Sequence, residues 1–553
     1  RFKHVLIDEF QDTNKLQYAW IKMIAGLPAE QGSAVLAVGD DDQSIYAFRG
    51  ARVGNMADFV REFGVQHQIK LEQNYRSYSN ILDSANALIG HNKNRLGKNL
   101  RTDQGAGEPV RVYESTSDFA EAQWLVDEIR QLVKGDGLTR KEVAVLYRSN
   151  AQSRVMETAL FNAGVPYKVY GGLRFFERAE IKHALAYLRI LENANDDTSF
   201  LRIVNFPPRG IGARSVEQLQ DAAKGLGCSL HDAVSTTAGK AGAKLAGFVA
   251  MIDVMREQTP GMTLREIIEL VLDQTGLVEH YKTEKEGADR VENLEELVNA
   301  AESFVTQEGF GRDAEATASE MAPNAEDGEV MSPLAAFLTH AALEAGDNQA
   351  QAGEDAIQLM TVHASKGLEF DAVFISGLEE GLFPHENSMN DYDGLEEERR
   401  LMYVAITRAR KRLYLSHSQT RMLHGQTRYN LKSRFLDELP EECLKWITPK
   451  NPGFATGLGG GWTSPAQAFQ AKPAWGHSSL SSAETYKSPP VPVQKAEPSH
   501  GIKVAMKVFH TKFGEGQVLA VEGAGADARA QVNFPRHGVK WLALSVAKLT
   551  PVE

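Results

Sequence analysis

The sequence predicts an α/β fold of two parallel-sheet units, with a mostly helical insertion in the second unit and a small C-terminal β-barrel. Over residues 1–70, and again from residue 71, short apolar runs alternate with amphipathic stretches, which is typical of strands and their covering helices. From about 175 to 345 the pattern is helical, before strand signals return. Residues 501–553 alternate short strands with glycine turns, as small barrels do.

The elements follow in chain order from these patterns. In the first unit we expect two strands, FKHVLI and AVLAVGD, and two helices, KLQYAWIKMIAG and NMADFVREFG. In the second unit the strands QIKLEQN, VRVYES and EVAVLYRS alternate with the helices SNILDSANALIG and EAQWLVDEIRQLV. The helical block includes AEIKHALAYLRILENA, SVEQLQDAAKGL and VENLEELVNAAESFVTQ. The strands AIQLMTVHAS, FDAVFISGL and KRLYLSHS then complete the second unit.

Two stretches of biased composition mark connecting segments. Residues 308–329 hold seven acidic residues and one arginine, so we expect a solvated, mobile loop. Residues 451–500 hold seven Pro, six Gly and seven Ser, which predicts a flexible linker. The predicted boundaries are 1–70 for the first unit, 71–172 and 349–448 for the two parts of the second unit, 173–348 for the insertion, 449–500 for the linker and 501–553 for the barrel.

The composition narrows the class of protein. At 553 residues the chain exceeds a single core, and its apolar (42%) and charged (24%) contents are those of a globular protein. Cys228 and Cys443 lack metal-ligand spacing, so we expect a reducing compartment and no disulfide framework. No apolar run is long enough to span a membrane. The net charge of -13 alone argues against a nucleic-acid partner, but binding depends on local basic surfaces.

The first motif that carries chemistry is IDEFQD, at the end of the first predicted strand. Asp8 at a strand end would hold Mg²⁺, directly or through water, and Glu9 would polarise an attacking water. The alternative is an exposed loop that happens to hold two carboxylates.

The second motif, DDQSIYAFRGA, follows the second predicted strand. The run Asp40 to Asp42 is expected to form a solvated turn, and Gln43 beyond it could reach a γ-phosphate or its attacking water. Aromatic rings beside a cation suit stacking on unpaired bases and contact with phosphates. Tyr46 and Phe48, with Arg49 adjacent, have this pattern, although both rings could instead belong to the core.

Three further motifs follow later in the chain. In LEQNYRS, Tyr75 could stack on a purine and Arg76 could act as an arginine finger on a γ-phosphate. In TVHASKGLEFDAVFI we expect a strand-to-helix turn whose backbone amides favour phosphates. In EEERRLMYVAITRARKRLYL we expect a helix with Arg408 pointing across a cleft. The turn would carry His363, Ser365, Lys366, Gly367 and Glu369, and the helix would also carry Arg399, Arg400, Arg410, Lys411 and Arg412.

The five motifs, in this order, resemble the superfamily 1 helicases of the UvrD/Rep/PcrA type. The similarity extends through nearly the whole chain. It includes NLRT at 99–102, LYRSNAQSR at 146–154, YGGLRFFERAEIK at 170–182, AALEAG at 341–346 and LPEEC at 439–443. The resemblance implies two RecA-like motor domains, the first of them incomplete, a helical subdomain that grips duplex DNA, and a Tudor-like barrel that binds RNA polymerase.

The resemblance also implies a role for individual residues. It implies a magnesium ligand at Asp8, catalytic roles for Glu9, Gln43, Arg76 and Arg408, and nucleotide contacts from Tyr75, Arg76, Gly367, Glu369 and Arg408. Tyr46, Phe48, Arg49 and His363 are implied to follow the single strand, and Arg209, Gly210 and Gly212 of PPRGIGARS to contact duplex DNA. The family often has Trp where this chain has Phe48, so the affinity for the strand is expected to be lower.

The phosphate loop that such a motor needs is missing from this sequence. No G-x-x-x-x-G-K-[ST] occurs, because the two Gly-Lys pairs are followed by Asn99 and Ala241. In the family this loop lies upstream of the Asp-Glu strand, and here Arg1 opens directly into that strand. We therefore expect an N-terminally truncated fragment that is nearly inactive alone.

The function implied by the resemblance is an ATP-dependent 3′→5′ DNA helicase or translocase of DNA repair and replication, with ATP and Mg²⁺ as cofactors. Its expected partners are single-stranded DNA and junctions, RNA polymerase, and mismatch or excision repair factors, in the bacterial cytoplasm with the nucleoid. The alternative is a non-catalytic adaptor for DNA or RNA polymerase, although an adaptor has no need of the ATPase residues. A helicase-nuclease of the RecB type would need a carboxylate-rich domain after residue 450, where this chain has a linker and barrel.

Overall fold

The computed structural model of the chain separates into two compact units. The larger unit comprises residues 1–319 and 330–451 and so contains both predicted α/β units, and the smaller unit comprises residues 320–329 and 452–553. The structure describes residues 2–26, 33–93, 95–285, 287–308, 310, 315–317, 332–346, 354–389, 392–423, 426–448, 506–510, 514–522, 529–534, 538–543 and 549–551. The predicted linker lies outside these residues, as does most of the acidic stretch 308–329.

The chain begins with a two-stranded parallel sheet and two helices. Its elements are β1 (His4–Ile7), α1 (Lys15–Ala25), β2 (Ala34–Ala37) and α2 (Gly54–Glu62). Helix α1 begins where Asn14 and Gln17 form a reciprocal capping box, with both hydrogen bonds at 2.8 Å. Phe10, Tyr18 and Phe59 pack edge to face beneath the sheet. The alternation predicted for the first unit is confirmed.

A seven-stranded sheet, parallel throughout, forms the centre of the larger unit. Its strands are β3 (Val110–Ser115), β4 (Val143–Tyr147), β5 (Tyr167–Val169), β6 (Ile357–Thr361), β7 (Phe370–Ile375), β8 (Ala409–Ser418) and β11 (Leu444–Trp446), in the order β11-β3-β8-β7-β4-β6-β5. Every residue of β4 and β7 is buried, which explains their continuous apolar runs. The large parallel sheet predicted from the sequence is therefore confirmed.

Helices and one hairpin accompany this sheet. They are α3 (Ser79–Ile89), α4 (Asp118–Gly135), α5 (Ser153–Asn162), α15 (Glu386–Met389) and α16 (Tyr392–Ile406), with the antiparallel pair β9 (Thr420–Leu423) and β10 (Gln426–Tyr429). Two predictions were wrong here. The run QIKLEQN forms one isolated bridge, between Gln73 and Arg101, because Ile69 and Leu71 find no apolar face and stay exposed. The basic run after α16 is strand β8, since the helix ends at Ile406.

Nine helices among the described residues separate β5 from β6, so the helical block is inserted as predicted. They are α6 (Ala179–Glu192), α7 (Asp197–Ile203), α8 (Ala213–Leu226), α9 (Leu230–Ala233), α10 (Gly239–Gln258), α11 (Leu264–Gln274), α12 (Leu277–Lys282), α13 (Gly287–Glu308) and α14 (Pro333–Gly346). Their common core is apolar and includes Tyr187, Phe200, Phe248 and Phe337, all almost fully buried. None of the described helices is both long and apolar enough to cross a membrane.

The smaller unit is one antiparallel sheet in the residues described. Its strands are β12 (Lys507–His510), β13 (Gly514–Glu522), β14 (Arg529–Phe534), β15 (Gly538–Ala543) and β16 (Leu549–Pro551), in the order β15-β14-β13-β12-β16. Val508, Val518, Ala530 and Val532 are buried in it. The sheet agrees with the predicted all-β character, while closure into a barrel stays a prediction.

Candidate nucleotide and nucleic-acid sites

The carboxyl end of β1 presents the two acids predicted from the sequence. Asp8 and Glu9 are both exposed, and the Asp8 carboxylate accepts a hydrogen bond of 2.9 Å from the Glu9 amide. Glu9 has a φ of 48°, the one positive φ of a non-glycine residue among those described. A left-handed conformation costs such a residue about 1–2 kcal/mol, so the surrounding contacts hold Glu9 in place.

The Gln11 side chain holds Glu9 in this conformation, a role that the sequence did not predict. The Gln11 side-chain amide donates to the Glu9 carboxylate at 2.6 Å, and its carbonyl accepts from the Asp40 amide at 3.0 Å. A Cβ at Gly39 would lie 2.7 Å from that carbonyl oxygen, so the glycine permits the bridge. The Gln11 side chain therefore links the ends of β1 and β2.

The acidic run at the end of β2 is largely buried and bound by donors from a later segment, so the expectation of a solvated turn was wrong. Asp42 accepts two hydrogen bonds of 2.7 Å from Arg95, and Asp41 accepts one of 2.7 Å from the Leu96 amide. Asp40 pairs with Lys98 and accepts from the Gln43 side chain at 2.6 Å. The three carboxylates lie within 4.8 Å of one another, but these donors satisfy them, and the run therefore does not fit a cation. The cations that bury it come from a later segment, which local patterns do not reveal.

Lys366 links the two predicted α/β units, residues 1–70 and residues 71–172 with 349–448. Its ammonium group donates to both Asp12 carboxylate oxygens, at 2.9 and 2.7 Å, and to the Gln43 carbonyl at 2.9 Å. It also lies 3.4 Å from a Glu9 carboxylate oxygen and 5.3 Å from the centre of the Tyr46 ring. The Lys366 side chain is only 9% exposed. Burial raises the pKa of Asp12, and the hydrogen bond from Lys366 partly offsets this effect.

The predicted aromatic residues form a cluster with His363. The Phe48 ring is exposed and meets the His363 ring edge-on at 5.3 Å, while Tyr46 lies 6.0 Å from Phe48. The Arg49 guanidinium lies 5.4 Å from the Tyr46 ring centre and 5.3 Å from that of Phe48. Burial, and next the charge of Arg148, lower the pKa of His363 to about 4. His363 is therefore neutral at pH 7, and Phe48 does not belong to the core.

Arg76 and Glu369 bind each other. The Arg76 guanidinium donates to the Glu369 carboxylate and, at 3.3 Å, to the Thr407 carbonyl. Arg410 lies 3.6 Å from the other Glu369 carboxylate oxygen. The Arg76 hydrogen bond is the largest cause of the lowered pKa of Glu369. Both residues were predicted to contact a nucleotide, and the structure brings them together.

Arg408 does not point across a cleft in this structure, so that expectation was wrong. Its guanidinium donates to the carbonyls of Val404 and Leu368, at 3.0 and 3.1 Å, and to the Thr407 hydroxyl at 3.1 Å. The side chain is buried, and burial lowers the pKa of Arg408 to about 10, with a further contribution from Arg76. Carbonyls near the end of a helix carry partial negative charge, which favours this inward position of the cation.

The turn that carries His363 links two strands, so the prediction of a strand-to-helix turn was wrong. A 3₁₀ turn over His363–Ser365 follows β6, and β7 begins at Phe370. Strands β6 and β7 both pair in parallel with β4, on opposite sides of it, so residues 362–369 lead from the carboxyl end of β6 back to the amino end of β7. Gly367 has a φ of 85°, a conformation that favours glycine. Tyr75, which immediately precedes Arg76, is 82% exposed.

In the helical block, the Arg209 side chain is occupied by hydrogen bonds within the protein. Its guanidinium donates to the carbonyls of Ile203, Pro207 and Thr275 and, at 2.7 Å, to the Tyr187 hydroxyl. These contacts indicate a structural role for Arg209 and do not support the predicted contact of its charge with DNA. Gly210 and Gly212 are exposed, as are Arg214 and Lys244, and the Lys244 ammonium donates to the Gly210 carbonyl at 2.8 Å.

Comparison with known proteins agrees with these observations. Residues 1–64 match the model of the UvrD/REP helicase N-terminal domain, residues 69–420 that of the UvrD-like helicase C-terminal domain, and residues 504–553 that of the PcrA/UvrD tudor domain. The chain is 43% identical to DNA helicase II of Escherichia coli K12, covering 100% of this chain and 71% of that protein. It is 40% identical to UvrD1 of Mycobacterium tuberculosis H37Rv (97% and 68%) and 37% identical to PcrA of Bacillus subtilis 168 (100% and 71%). The chain therefore belongs to the UvrD-like helicase family.

Proposed function

We propose that this chain carries the second motor domain of an ATP-dependent DNA helicase and a segment of the first, and that the enzyme moves 3′→5′ in DNA repair and replication. One observation carries the proposal. Lys366, from the second unit, contacts Asp12 and the Gln43 carbonyl and lies beside Glu9 in the first, where the proposed hydrolytic residues lie. Such a joint can transmit changes between two motor domains.

The hydrolytic side of the site is assigned to the strand ends of the first unit. Asp8 fits a Mg²⁺ site, because it is an exposed carboxylate at a parallel strand end, whereas Asp40, Asp41 and Asp42 do not. Bound ATP and Mg²⁺ would supply the phosphoryl group and the charge that activates it for attack by water. Glu9, held by Gln11, would take the proton from that water, and the Gln43 side chain would leave Asp40 to sense the γ-phosphate.

The nucleotide side of the site is assigned to the second unit. Tyr75 offers an exposed ring for the adenine, and the exposed Gly367 and Glu369 would face the ribose. Arg76 and Arg408 are the proposed arginine fingers. Because Arg76 is bound to Glu369 and Arg408 to carbonyls, both must change partners before they can reach a phosphate.

The DNA contacts are assigned to two regions. Tyr46, Phe48, Arg49 and His363 would follow the single strand, because they combine an exposed ring, a cation and a neutral imidazole. In the helical block, the exposed amides of Gly210 and Gly212 would contact the duplex backbone. Arg209 would hold this turn in position through its hydrogen bonds, and the exposed Arg214 and Lys244 would supply positive charge for the DNA phosphates.

The remaining assignments concern domains and partners. We propose the domain boundaries predicted from the sequence, with 173–348 as the duplex-binding subdomain and 501–553 as a Tudor-like barrel. The barrel region is locally basic, with seven Lys/Arg against four Asp/Glu, and is the proposed contact for RNA polymerase, alongside repair factors. An enzyme with these substrates is expected in the bacterial cytoplasm with the nucleoid.

The test compares two proteins. The 553-residue chain lacks a phosphate loop, so we expect no ATP turnover from it, with or without single-stranded DNA. The same chain joined behind the phosphate-loop segment of a relative should turn over ATP when the strand is added, and Glu9→Gln should abolish this activity. The active protein should displace streptavidin from the 5′ end of a strand and not from the 3′ end. Strand-stimulated turnover by the chain alone would refute the role assigned to the loop, and DNA binding without turnover by the joined protein would favour an adaptor.

A further inference from the structure

The helical block contains a small cavity whose charged side chains are all cationic. The cavity, of about 110 Å³, lies between α6, α7 and α14. Lys182 and Arg189 share one face of α6 with Leu185, because these residues are three and four positions apart, and Arg202 comes from α7. The other lining residues are Phe176, Ala341 and Ala345, so none of the seven is acidic. The two alanines leave room where α14 faces the cations.

The three cations are not neutralised by the protein. Within the described ranges, no hydrogen bond or ion pair engages the head groups of Lys182, Arg189 or Arg202. Glu177 lies near Lys182, but its carboxylate accepts from Arg174 at 3.1 and 3.2 Å. Three like charges around one cavity repel each other, and an anion would relieve that repulsion. The pattern is local, because the whole chain carries a net charge of -13.

The negative end of α14 would oppose an anion in this cavity, but it is also compensated. The helix ends at Gly346, and the adjacent Ala345 lines the cavity. Arg174 donates to the carbonyl of Glu344 at 3.0 Å and to that of Ala345 at 2.5 Å. A cation on the last carbonyls of a helix offsets the partial negative charge of that end. The wall formed by α14 therefore does not repel an anion.

The size of the cavity selects among anions. Sites for nucleotide-sized ligands have volumes of about 300 Å³ or more, which exceeds the 110 Å³ found here. A single tetrahedral oxyanion fits, and arginine binds its oxygens through two parallel N–H donors. We propose that Lys182, Arg189 and Arg202 form a binding site for one phosphate group, separate from the glycine turn at Gly210.

The phosphate group can come from two sources. A duplex backbone is the expected source, because the helical block is the proposed duplex-binding subdomain, and this part of the inference rests on the proposed function. Free inorganic phosphate has the same chemistry and does not depend on that function. The two sources differ in salt dependence, since each phosphate of B-DNA that is neutralised adds about 0.9 to the slope of log K against log salt.

The experiment uses the full 553-residue chain and two probes. Duplex DNA binding is measured by fluorescence anisotropy across a range of salt concentrations, and inorganic phosphate binding by calorimetry at fixed ionic strength. The variant is Arg189→Gln with Arg202→Gln, and the matched control is Lys285→Gln, an exposed cation of the same block. Lys182→Gln, alone, replaces an exposed residue and provides a second test if the double variant melts early.

The outcomes separate the sources. We expect the double variant to lower the duplex salt slope by about one, with phosphate binding lost and the control unchanged. Loss of phosphate binding with an unchanged duplex slope would support the site with free phosphate as its ligand. If the chain binds no duplex at all but binds phosphate through these arginines, the proposed function fails and the site remains. No phosphate binding, with the same duplex slope in variant and control, would overturn the inference.

Discussion

Lys366 is the residue on which the joint between the two units depends. Its ammonium group replaces its lost hydration with both Asp12 oxygens and the Gln43 carbonyl, and the Tyr46 ring lies beside it. Removing one partner of such a pair leaves the other charge poorly solvated, which costs more than the pair contributes. The burial of Asp12 makes this residue sensitive to the loss of Lys366.

We therefore expect Lys366→Met to lower the free energy of unfolding by about 2 kcal/mol. The loss is smaller than for a fully buried pair because Asp12 is only partly buried. Adding Asp12→Asn should restore part of this loss, since no charge is then stranded. The control is Lys22→Met, which removes a more exposed pair with Glu62 and should cost much less. Urea unfolding of five proteins measures this: the wild type, the three variants named and Asp12→Asn alone. A double variant whose loss equals the sum of the single losses would contradict the contact.

His363 is expected to give the protein a dependence on pH. The pKa of His363 in the folded protein, about 4, is below its ordinary value of 6.5. Between pH 6.5 and pH 4 this imidazole is therefore protonated in the unfolded chain but neutral in the folded one. Stability from this group is complete above pH 6.5 and is lost as the pH falls towards 4, by about 3 kcal/mol. Unfolding at pH 7 and pH 4.5 should show a smaller difference for His363→Gln than for wild type. The exposed control His67→Gln should keep the wild-type difference, and equal differences in all three would contradict the prediction.

At the scale of elements, the ends of β1 and β2 are held together by one side-chain bridge. Gln11 contacts Glu9 on one side and the Asp40 amide on the other, and the space it uses is available because residue 39 has no side chain. The position of the proposed general base therefore depends on the packing of two strand ends.

We expect Gly39→Ala to destabilise the protein by about 1–3 kcal/mol, because its Cβ would lie 2.7 Å from the Gln11 oxygen. The matched control is Gly247→Ala, inside α10, where a Cβ meets nothing within 4 Å. Replacing that glycine should stabilise the helix by up to about 1 kcal/mol. Thermal melting of both variants measures the difference. Equal melting temperatures would show that Gln11 moves aside without cost.

For the whole molecule, the larger unit ends with the edge strand β11. This strand pairs with β3, and the Thr448 hydroxyl donates to the Glu114 carbonyl at 2.9 Å. The described residues after Thr448 belong to the smaller unit. The larger unit should therefore keep its fold without residues 449–553.

We expect a chain that ends at residue 448 to melt at the same temperature as the larger unit in the full chain. The matched control ends at residue 438, just before the segment that carries β11, and should melt several degrees earlier because the edge of β3 loses its partner. Differential scanning calorimetry distinguishes them. Equal melting of the two shortened chains would show that β11 contributes nothing to the sheet.

The order of elements was largely readable from the sequence because local patterns carry it. The runs VAVLY and FDAVFI are buried along their whole length and were predicted as strands, whereas QIKLEQN has a similar pattern but finds no sheet. Burial against other elements, which a local pattern does not contain, made that difference. The same limit applies to Gln11, since a polar residue in a loop has no distinctive spacing.

By itself, the sequence determined the α/β class, the helical insertion and the family, because these depend on periodicity and on motifs in a set order. Tertiary structure alone decided which charges meet. Lys366 reaches Asp12 across 354 positions, Arg95 buries Asp42, and Arg408 turns inward to carbonyls. The physical reason is that the free energy of a charge depends on what surrounds it in space, and folding places residues there that are distant along the chain.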